Sequence, residues 1–202
     1  MLLLNYATLV DPILKDIRIY ASDFLGIKMG ERVLDICCGT GDQVFYYSQK
    51  GAMATGVDQN SKMIKISKKN NKKRGLNDVT FHLASATELP FSDGYFDHAS
   101  ISLGLHEMER DERDKAIAEM KRVVKKGGIL MFIDFKVPLP NNCIAYFIKT
   151  VEFVAGRDNY RCFKDYLAQG GLCQILKENK LNPQLETLLK LGNLQIIKSN
   201  NI

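Results

Sequence analysis

The chain has 202 residues, of which 46% are hydrophobic and 25% charged, a balance typical of one globular domain with a sizeable core. Its formal net charge of +5 allows contact with anionic lipid or nucleic acid but does not require it. The five cysteines show no metal-type spacing, and no apolar run is long enough for a signal segment or a membrane span. We therefore expect reduced thiols, a cytoplasmic location, no bound metal and no transmembrane segment.

The first two thirds of the chain predict alternating helices and strands. Apolar residues at helical spacing predict a helix over residues 6–25, and a continuous apolar run predicts a buried strand over 33–37. Further helices are predicted at 40–50, 61–74 and 111–124, and further strands at 52–57, 79–84, 96–103 and 129–135. Strands separated by helices over about a hundred residues indicate a parallel α/β sheet.

The last third has a different pattern. Residues 141–150, with their flanks, are aromatic and helical, and 160–180 are predicted as one or two helices with a break at the glycine pair 170–171. Two strands are predicted at 184–191 and 194–198, joined by a short glycine-containing turn. Such a pair predicts an antiparallel element at the edge of an otherwise parallel sheet.

A glycine-containing turn carries the strongest functional signal. Residues 33–41 read VLDICCGTG, an apolar strand that runs into a turn of small residues. About one helix later, a second strand ends on Asp58. Strand, glycine turn, helix, strand and acid together are typical of the nucleotide-binding half of a doubly wound α/β sheet.

The acids around this turn favour S-adenosylmethionine (SAM) over a dinucleotide. The dinucleotide pattern G-x-G-x-x-G requires a third glycine, but Val44 stands there, and Asp42 in the first helical turn would repel a pyrophosphate. Asp42 and Asp35, which lies within the strand, suit a cationic ligand without phosphate. SAM carries an ammonium and a sulfonium, and its ribose hydroxyls suit a carboxylate such as that of Asp58.

The segment 33–41 also resembles the first motif of class I SAM-dependent methyltransferases, in particular the group that includes the ubiquinone/menaquinone-biosynthesis methyltransferases (methyltransferase domain 11/25 type). Further matching segments follow in order, and they are Asp58, ASATELPF at 84–91, Phe96-Asp97, Gly104-Leu105-His106 and Gly127-Gly128. The resemblance covers residues 6–135 closely and the remainder loosely. Two positions depart from the family pattern: Cys37 replaces its usual first glycine, and Ser85 replaces the aspartate that contacts the adenine.

The resemblance implies both the fold of the chain and its division into three segments. The expected fold class is α/β, a Rossmann-like, doubly wound and mostly parallel seven-stranded sheet in the order 3-2-1-4-5-7-6, with the last strand antiparallel and helices on both faces. A single SAM-dependent methyltransferase domain over 1–202 would comprise an N-terminal helical lid at 1–30, a cofactor-binding core at 31–136, and a helical acceptor region with the closing strand pair at 137–202.

We expect the cofactor site along the carboxyl ends of the strands. The predicted cofactor-binding residues are Asp35, Cys37, Cys38, Gly39, Thr40, Gly41, Asp58, Gln59, Met63, Ser85, Ala86, Thr87 and Ser102, with Tyr6 in the lid. His106, which follows the fourth strand, is the predicted catalytic base, although methyl transfer from a sulfonium needs a base only if the acceptor arrives protonated. Asp134 is a further candidate at this edge, whereas Glu107 is expected to be a solvated helix acid.

Six aromatic residues in the last third belong either to the core or to an acceptor pocket. They are Tyr146, Phe147, Phe153, Tyr160, Phe163 and Tyr166. As a pocket they would favour a flat or lipid-like apolar acceptor. The predicted function is therefore methyl transfer from SAM, giving S-adenosylhomocysteine (SAH), to a small-molecule or lipid/quinone-like acceptor by in-line displacement.

Three alternatives remain open at this point. An NAD-type oxidoreductase would share the strand, turn and helix layout. An RNA methyltransferase would use the basic helix at 62–74, although no aromatic residues interleave with its lysines. A non-catalytic SAM-binding protein would keep the cofactor site alone. Nucleic acid is therefore not the favoured partner, peripheral membrane contact is compatible with the basic charge, and either a monomer or a homodimer is expected.

Overall fold

The computed structural model describes residues 11–202, with side chains from residue 14 onward. The helices of this part of the chain are α1 (Asp11–Leu25), α2 (Asp42–Gln49), α3 (Ser61–Arg74), α4 (Arg110–Val123), α5 (Cys143–Ala155), α6 (Arg157–Gln169) and α7 (Gly171–Glu178), with a 3₁₀ turn over Leu105–Glu107. The strands are β1 (Arg32–Ile36), β2 (Met53–Asp58), β3 (Val79–Leu83), β4 (Phe96–Ser102), β5 (Val124–Phe135), β6 (Pro183–Leu189) and β7 (Leu194–Asn200). Tyr6, which was predicted in the lid, lies outside the described residues.

The strands form one sheet in the order β3-β2-β1-β4-β5-β7-β6. The first five strands pair in parallel, whereas β7 runs antiparallel to both β5 and β6. The predicted fold class is therefore confirmed, including the strand order and the antiparallel last strand. Because the chain order reverses beside β1, the carboxyl ends of β1 and β4 open a crevice suited to a ligand.

Strand β5 begins earlier than the sequence predicts. The segment 125–128 has the basic residues and glycines of a helix end, but α4 is followed directly by β5, which pairs with β4 through a register shift. Gly127 has a φ of +76°, and a Cβ at Gly128 would lie 2.5 Å from the Asp97 carbonyl oxygen. The two glycines therefore serve an irregular stretch of strand rather than a helix end.

The helical region of the last third is divided twice. The predicted break at 170–171 is confirmed, since Gly170 has a φ of +101° and separates α6 from α7. The separation between the predicted helical segments 141–150 and 160–180 falls at Gly156, which has a φ of +134° and is the one residue between α5 and α6. No helix within residues 11–202 combines the length and apolar character needed to cross a bilayer.

A buried arginine joins three elements beside the sheet. Arg113 of α4 has no solvent exposure. Its guanidinium donates to the Leu105 carbonyl at 2.9 Å and to the Cys162 carbonyl at 2.9 Å. It also donates to the Asp165 carboxylate at 2.7 Å and to the Gln169 side chain at 2.8 Å. Arg113 thus ties α4 and α6 to the 3₁₀ turn over Leu105–Glu107.

Candidate active site

A cleft of about 420 Å³ opens along the carboxyl ends of the parallel strands. The predicted cofactor residues that line it are Asp35, Cys37, Cys38, Gly39, Thr40, Asp58, Gln59, Met63, Ser85, Ala86, Thr87 and Ser102. Side chains that sequence reasoning did not select line it as well, notably Arg18, Glu107 and Glu112. Motif spacing located the first set. The second set comes from elements that pack over the cleft from elsewhere in the chain.

Gly41 does not line the cleft. Glycine is needed at this position because of the backbone conformation and the close packing around it. Its φ is +86°, a conformation that L side chains rarely adopt. A Cβ at this position would lie 2.6 Å from the Phe81 ring and 3.0 Å from the Ser67 side chain. The second glycine of the turn therefore lets α2 approach β3 closely, and its contact with a cofactor stays a prediction.

Asp58 holds the glycine turn to the end of β2. One carboxylate oxygen accepts a hydrogen bond from the Gly39 amide at 2.8 Å, and the other accepts one from the Asn60 amide at 2.8 Å. A carboxylate has about four acceptor positions, so Asp58 can also accept hydrogen bonds from ligand hydroxyls in the cleft. The Gly39 amide, which a pyrophosphate would need, is already used by a carboxylate.

The loop after β3 supplies polar side chains to the opposite part of the cleft. The Ser85 hydroxyl accepts a hydrogen bond from the Thr87 amide at 3.1 Å and lies 2.8 Å from the Thr87 hydroxyl. Ser85 is therefore engaged in the turn of its own loop. Its expected contact with an adenine stays a prediction.

Asp35 is a buried acid at the floor of the cleft. Its carboxylate accepts a 2.7 Å hydrogen bond from Ser100, whose hydroxyl in turn accepts one from Tyr47 at 2.9 Å. Burial raises the pKa of Asp35 to about 7, although the Ser100 hydrogen bond and the nearby Arg18 guanidinium oppose this rise. Asp35 is therefore partly protonated near neutral pH and would ionise fully beside a cationic ligand.

The affinity for SAM is expected to rise with pH between about 6 and about 7.5, because ionised Asp35 attracts the ligand's cationic groups more strongly. The ligand's own ammonium, with a pKa of about 8, stays mostly protonated over this range and therefore weakens the trend without cancelling it. Calorimetric titrations at several pH values measure this dependence. An Asp35→Asn variant should bind more weakly and show a flat profile over the same range, and a wild-type profile in that variant would remove Asp35 from the site.

Asp42 does not contribute its charge to the cleft as the sequence argument assumed. Its carboxylate forms ion pairs with Arg18 at 3.2 Å and with Arg74 at 3.5 Å, and it is absent from the cleft wall. Two arginines balance this charge. Of the three acids around the turn, Asp35 and Asp58 are therefore the two that line the cleft.

Cys37 stands in a conformation that usually requires glycine. Its φ is +59°, which costs an L residue about 1–2 kcal/mol. Burial raises the pKa of its thiol well above the ordinary value, and the carboxylates of Asp58, Glu107 and Asp35 raise it further. Cys37 is therefore a protonated thiol without nucleophilic character.

The side chain of Cys37 explains why glycine follows β4. A Cβ at Gly104 would lie 3.0 Å from both Cβ and Sγ of Cys37. We expect Gly104→Ala to lower the free energy of unfolding by about 1–3 kcal/mol, and Cys37→Gly to remove most of that loss because it clears the contact. Urea denaturation of the two single variants and the double variant measures the coupling. Additive effects would show that the two residues do not interact.

A second, apolar cavity of about 350 Å³ adjoins the cleft, and we call it the apolar pocket. The residues that line it are Leu14, Leu103, His106, Glu107, Phe135, Cys143, Ile144, Phe147, Ile148, Val151, Glu152, Lys190, Asn193 and Leu194. The two cavities share Leu14, Leu103 and Glu107. Of the six aromatic residues considered from the sequence, Phe147 alone lines this pocket. Phe163 and Tyr166 are buried in the core, whereas Tyr146 and Phe153 are exposed.

His106, the predicted catalytic base, is buried between two carboxylates. Its Nδ1 lies 2.7 Å from Asp134 and its Nε2 lies 3.6 Å from Glu152. Burial alone would lower the pKa of the imidazole, but the charges and hydrogen bonds of Asp134 and Glu152 raise that pKa well above its ordinary value. These contacts favour the protonated ring, which is poorly suited to accept a further proton. This arrangement favours a positioning role, and a catalytic role for His106 stays a prediction.

Glu107 occupies the junction of the two cavities. It is the one ionisable residue within the described part of the chain that lines both the cleft and the apolar pocket. Burial raises the pKa of its carboxyl above the ordinary value. The protonated ring of His106 opposes this rise, and the Glu152 and Asp134 carboxylates add to it. Glu107 is solvent-exposed, as the sequence predicts, but its place at the junction depends on the packing of its 3₁₀ turn against β5 and α6.

The titratable residues of the cleft do not form a metal site. Across residues 11–202, no group of three or more His, Cys, Asp or Glu side chains is arranged to hold a metal ion. The cleft instead combines acids with apolar walls, which suits an organic cation.

Comparison with known proteins identifies this type of domain. Residues 33–128 match the family model described as a methyltransferase domain. The match spans just under half of the chain and marks this segment as a methyltransferase domain. This confirms the resemblance from which the fold was expected, and the cofactor of this domain type is SAM, as predicted.

The methyltransferase domain is shared with curated relatives in sequence. The chain is 36% identical over 124 residues to the ubiquinone/menaquinone biosynthesis C-methyltransferase UbiE of Psychromonas ingrahamii. The aligned region covers 59% of this chain and 49% of the relative. The UbiE protein of Serratia proteamaculans matches with the same identity and coverage. The chain thus spans about half the length of the curated relatives it matches.

Solved structures share the fold over nearly the whole chain. A SAM-dependent methyltransferase from Aquifex aeolicus is 18% identical, with a TM-score of 0.69, and the match covers 92% of this chain and 89% of the other. Geranyl diphosphate C-methyltransferase from Streptomyces coelicolor, solved with Mg²⁺, geranyl diphosphate and SAH, is 14% identical, with a TM-score of 0.69 and coverage of 93% and 79%. At these identities the likeness shows the fold alone.

Proposed function

We propose that this protein transfers a methyl group from SAM to an apolar, lipid-like small molecule. The observation that carries the proposal is the shared wall between the two cavities, where Leu14, Leu103 and Glu107 border both. A donor in the cleft and an acceptor in the apolar pocket would meet at this wall. Holding two reactants in contact is the main contribution that the protein has to make, since SAM supplies an already activated methyl group on its sulfonium.

The residues of the cleft fit SAM better than a dinucleotide. Asp35 at the floor would bind the ammonium, and Asp58 at the end of β2 would accept hydrogen bonds from the ribose hydroxyls. A pyrophosphate would face Asp35 and Asp58 and would find the Gly39 amide already donated to Asp58. These contacts favour SAM over the nicotinamide alternative.

Glu107 is the group best placed to receive the proton that the acceptor loses. As the new bond to the methyl group forms, the bond between methyl and sulfur breaks, and its electron pair stays with the sulfur, giving SAH. The proton that the acceptor loses passes to the Glu107 carboxylate. Because the pKa of this carboxyl is raised, it accepts a proton near neutral pH more readily than an ordinary glutamate does. His106 and Asp134 hold the turn that carries Glu107 through their 2.7 Å contact.

The apolar pocket sets the class of acceptor. Its wall is formed mostly by aliphatic and aromatic side chains from α5, β5 and β7, so it suits a flat or chain-like apolar molecule. The names of the curated relatives describe C-methylation in ubiquinone and menaquinone biosynthesis, and a quinone-like ring with an apolar tail fits this pocket. A nucleobase needs polar partners for its edges, which disfavours an RNA acceptor.

Calorimetric titration of the purified protein with SAH and with NAD tests the cofactor assignment. We expect SAH to bind at about one molecule per chain and NAD not to bind. Binding of NAD without binding of SAH would support an oxidoreductase and refute the proposal. Transfer of label from methyl-labelled SAM would then separate an enzyme from a non-catalytic SAM-binding protein.

A further inference from the structure

Helix α5 presents an apolar face to solvent. Its exposed apolar residues are Tyr146, Phe147, Phe153 and Val154, at 62%, 55%, 68% and 65% exposure, and we call them the α5 outer face. Their spacing places them on one side of the helix, whereas Ala145, Ile148 and Glu152 are buried on the other side. Soluble monomers rarely expose contiguous apolar patches of this kind unless the patch binds something.

Basic residues border the α5 outer face. The Lys149 ammonium lies 5.6 Å from the centre of the Tyr146 ring, and the Lys164 ammonium lies 5.2 Å from that of Tyr160. Tyr160 itself packs edge-on against Phe153, with 5.5 Å between the ring centres, so α6 extends the same surface.

The charge of this border is predominantly positive. Within the described residues, Lys149, Arg157 and Lys164 take part in none of the observed ion pairs. Asp158, the neighbour of Arg157 in the sequence, is an exposed acid, and the Asp165 carboxylate next to Lys164 is paired with Arg113. The basic side chains at the rings therefore give this apolar surface a positive border, which complements an anionic and partly apolar partner.

The apolar pocket lies directly beneath this surface. Cys143, Ile144, Phe147, Ile148 and Val151 of α5 line it. Phe147 belongs to both the pocket wall and the α5 outer face. The outer face and the pocket are therefore continuous at this side chain.

We propose that the α5 outer face docks on an anionic lipid surface. The aromatic residues would enter the interfacial layer of the bilayer, and Lys149, Arg157 and Lys164 would lie at the headgroups. With 13 residues, or about 20 Å, α5 lies in the interface and does not span it. The inference extends the proposed function, since a lipid-like acceptor would pass from the bilayer into the pocket beside Phe147. In a two-fold dimer through this face, the basic borders would oppose each other.

Vesicle flotation of the full chain with bound SAH tests the docking. The probes are vesicles of phosphatidylcholine alone and of an equal mixture of phosphatidylcholine and phosphatidylglycerol. We expect the wild type to float with the anionic vesicles and much less with the neutral ones. Phe153→Ser/Val154→Ser should weaken this binding about tenfold or more, and Lys149→Glu about tenfold. Neither Phe153 nor Val154 lines the apolar pocket.

The matched control is Leu185→Ser/Leu188→Ser on strand β6, where both residues are 49% exposed. It should float as the wild type does. Equal loss in the control and in Phe153→Ser/Val154→Ser would overturn the proposal, as would a wild type that fails to float. A dimer in sedimentation equilibrium that Phe153→Ser/Val154→Ser dissociates would assign the face to a second copy instead. Titration with SAH in every variant keeps these outcomes separate from a failure of the methyltransferase assignment.

Discussion

Replacement of Arg113 by methionine is expected to lower the free energy of unfolding by about 3–5 kcal/mol, the largest stability loss that the structure predicts for a single side chain. The guanidinium satisfies the buried carbonyls of Leu105 and Cys162 and the side chain of Gln169. Methionine fills most of the space but donates no hydrogen bond. Each buried acceptor left without a donor costs about 1–3 kcal/mol.

Urea denaturation followed by circular dichroism measures the effect of Arg113→Met. The matched control is Lys115→Met on the same helix. The Lys115 side chain is exposed, so this substitution should leave the unfolding midpoint unchanged. Because Arg113 holds the turn that carries His106 and Glu107, methyl transfer should fall in parallel with stability. An Arg113→Met protein as stable as the wild type would show that the buried network does not anchor this turn.

Removal of the Asp58 carboxylate should weaken SAH binding about tenfold to a hundredfold. The carboxylate is the proposed partner of the ribose hydroxyls, and a hydrogen bond to a charged group contributes about 1.5–3 kcal/mol. Asp58→Ala also releases the Gly39 amide, which Asp58 holds at 2.8 Å, so the turn would lose an anchor as well. Calorimetric titration with SAH measures the change.

A charge-matched control separates a specific contact from general electrostatics in the Asp58 experiment. Glu88 is exposed and follows the loop residue Thr87, but it does not line the cleft. Glu88→Gln removes one negative charge from the same region and should leave the affinity for SAH within about twofold, as expected for a screened surface charge. Equal losses in both variants would contradict a direct role for Asp58.

The local parts of the site could be predicted from the sequence because their spacing is fixed by one strand, one turn and one helix. The turn residues Cys37 and Gly39, and Asp58 one strand later, all line the cleft as expected. The strand order came with the family resemblance and is confirmed by the sheet pairing. The half of the molecule that forms the cleft could therefore be predicted from the sequence.

The acceptor half depends on contacts between distant segments, which periodicity cannot show. Glu107 is exposed, as the sequence predicts, but only the packing of its turn against β5 and α6 places it between two cavities. The partners of Arg113 lie up to 56 residues further along the chain. The aromatic residues of α5 fit a core pattern, but Phe153 is 68% exposed. In each case tertiary packing decided the outcome.

The measurement that tests the central claim most directly is transfer of label from methyl-labelled SAM into a lipid extract of the source cells, followed by separation of organic and aqueous phases. The proposed function predicts label that accumulates in the organic phase with time. Glu107→Gln should keep its affinity for SAH but lose most of this transfer, because the proton acceptor at the junction is gone. Label that appears in RNA, or none in the organic phase from a wild type that binds SAH, would contradict transfer to an apolar acceptor.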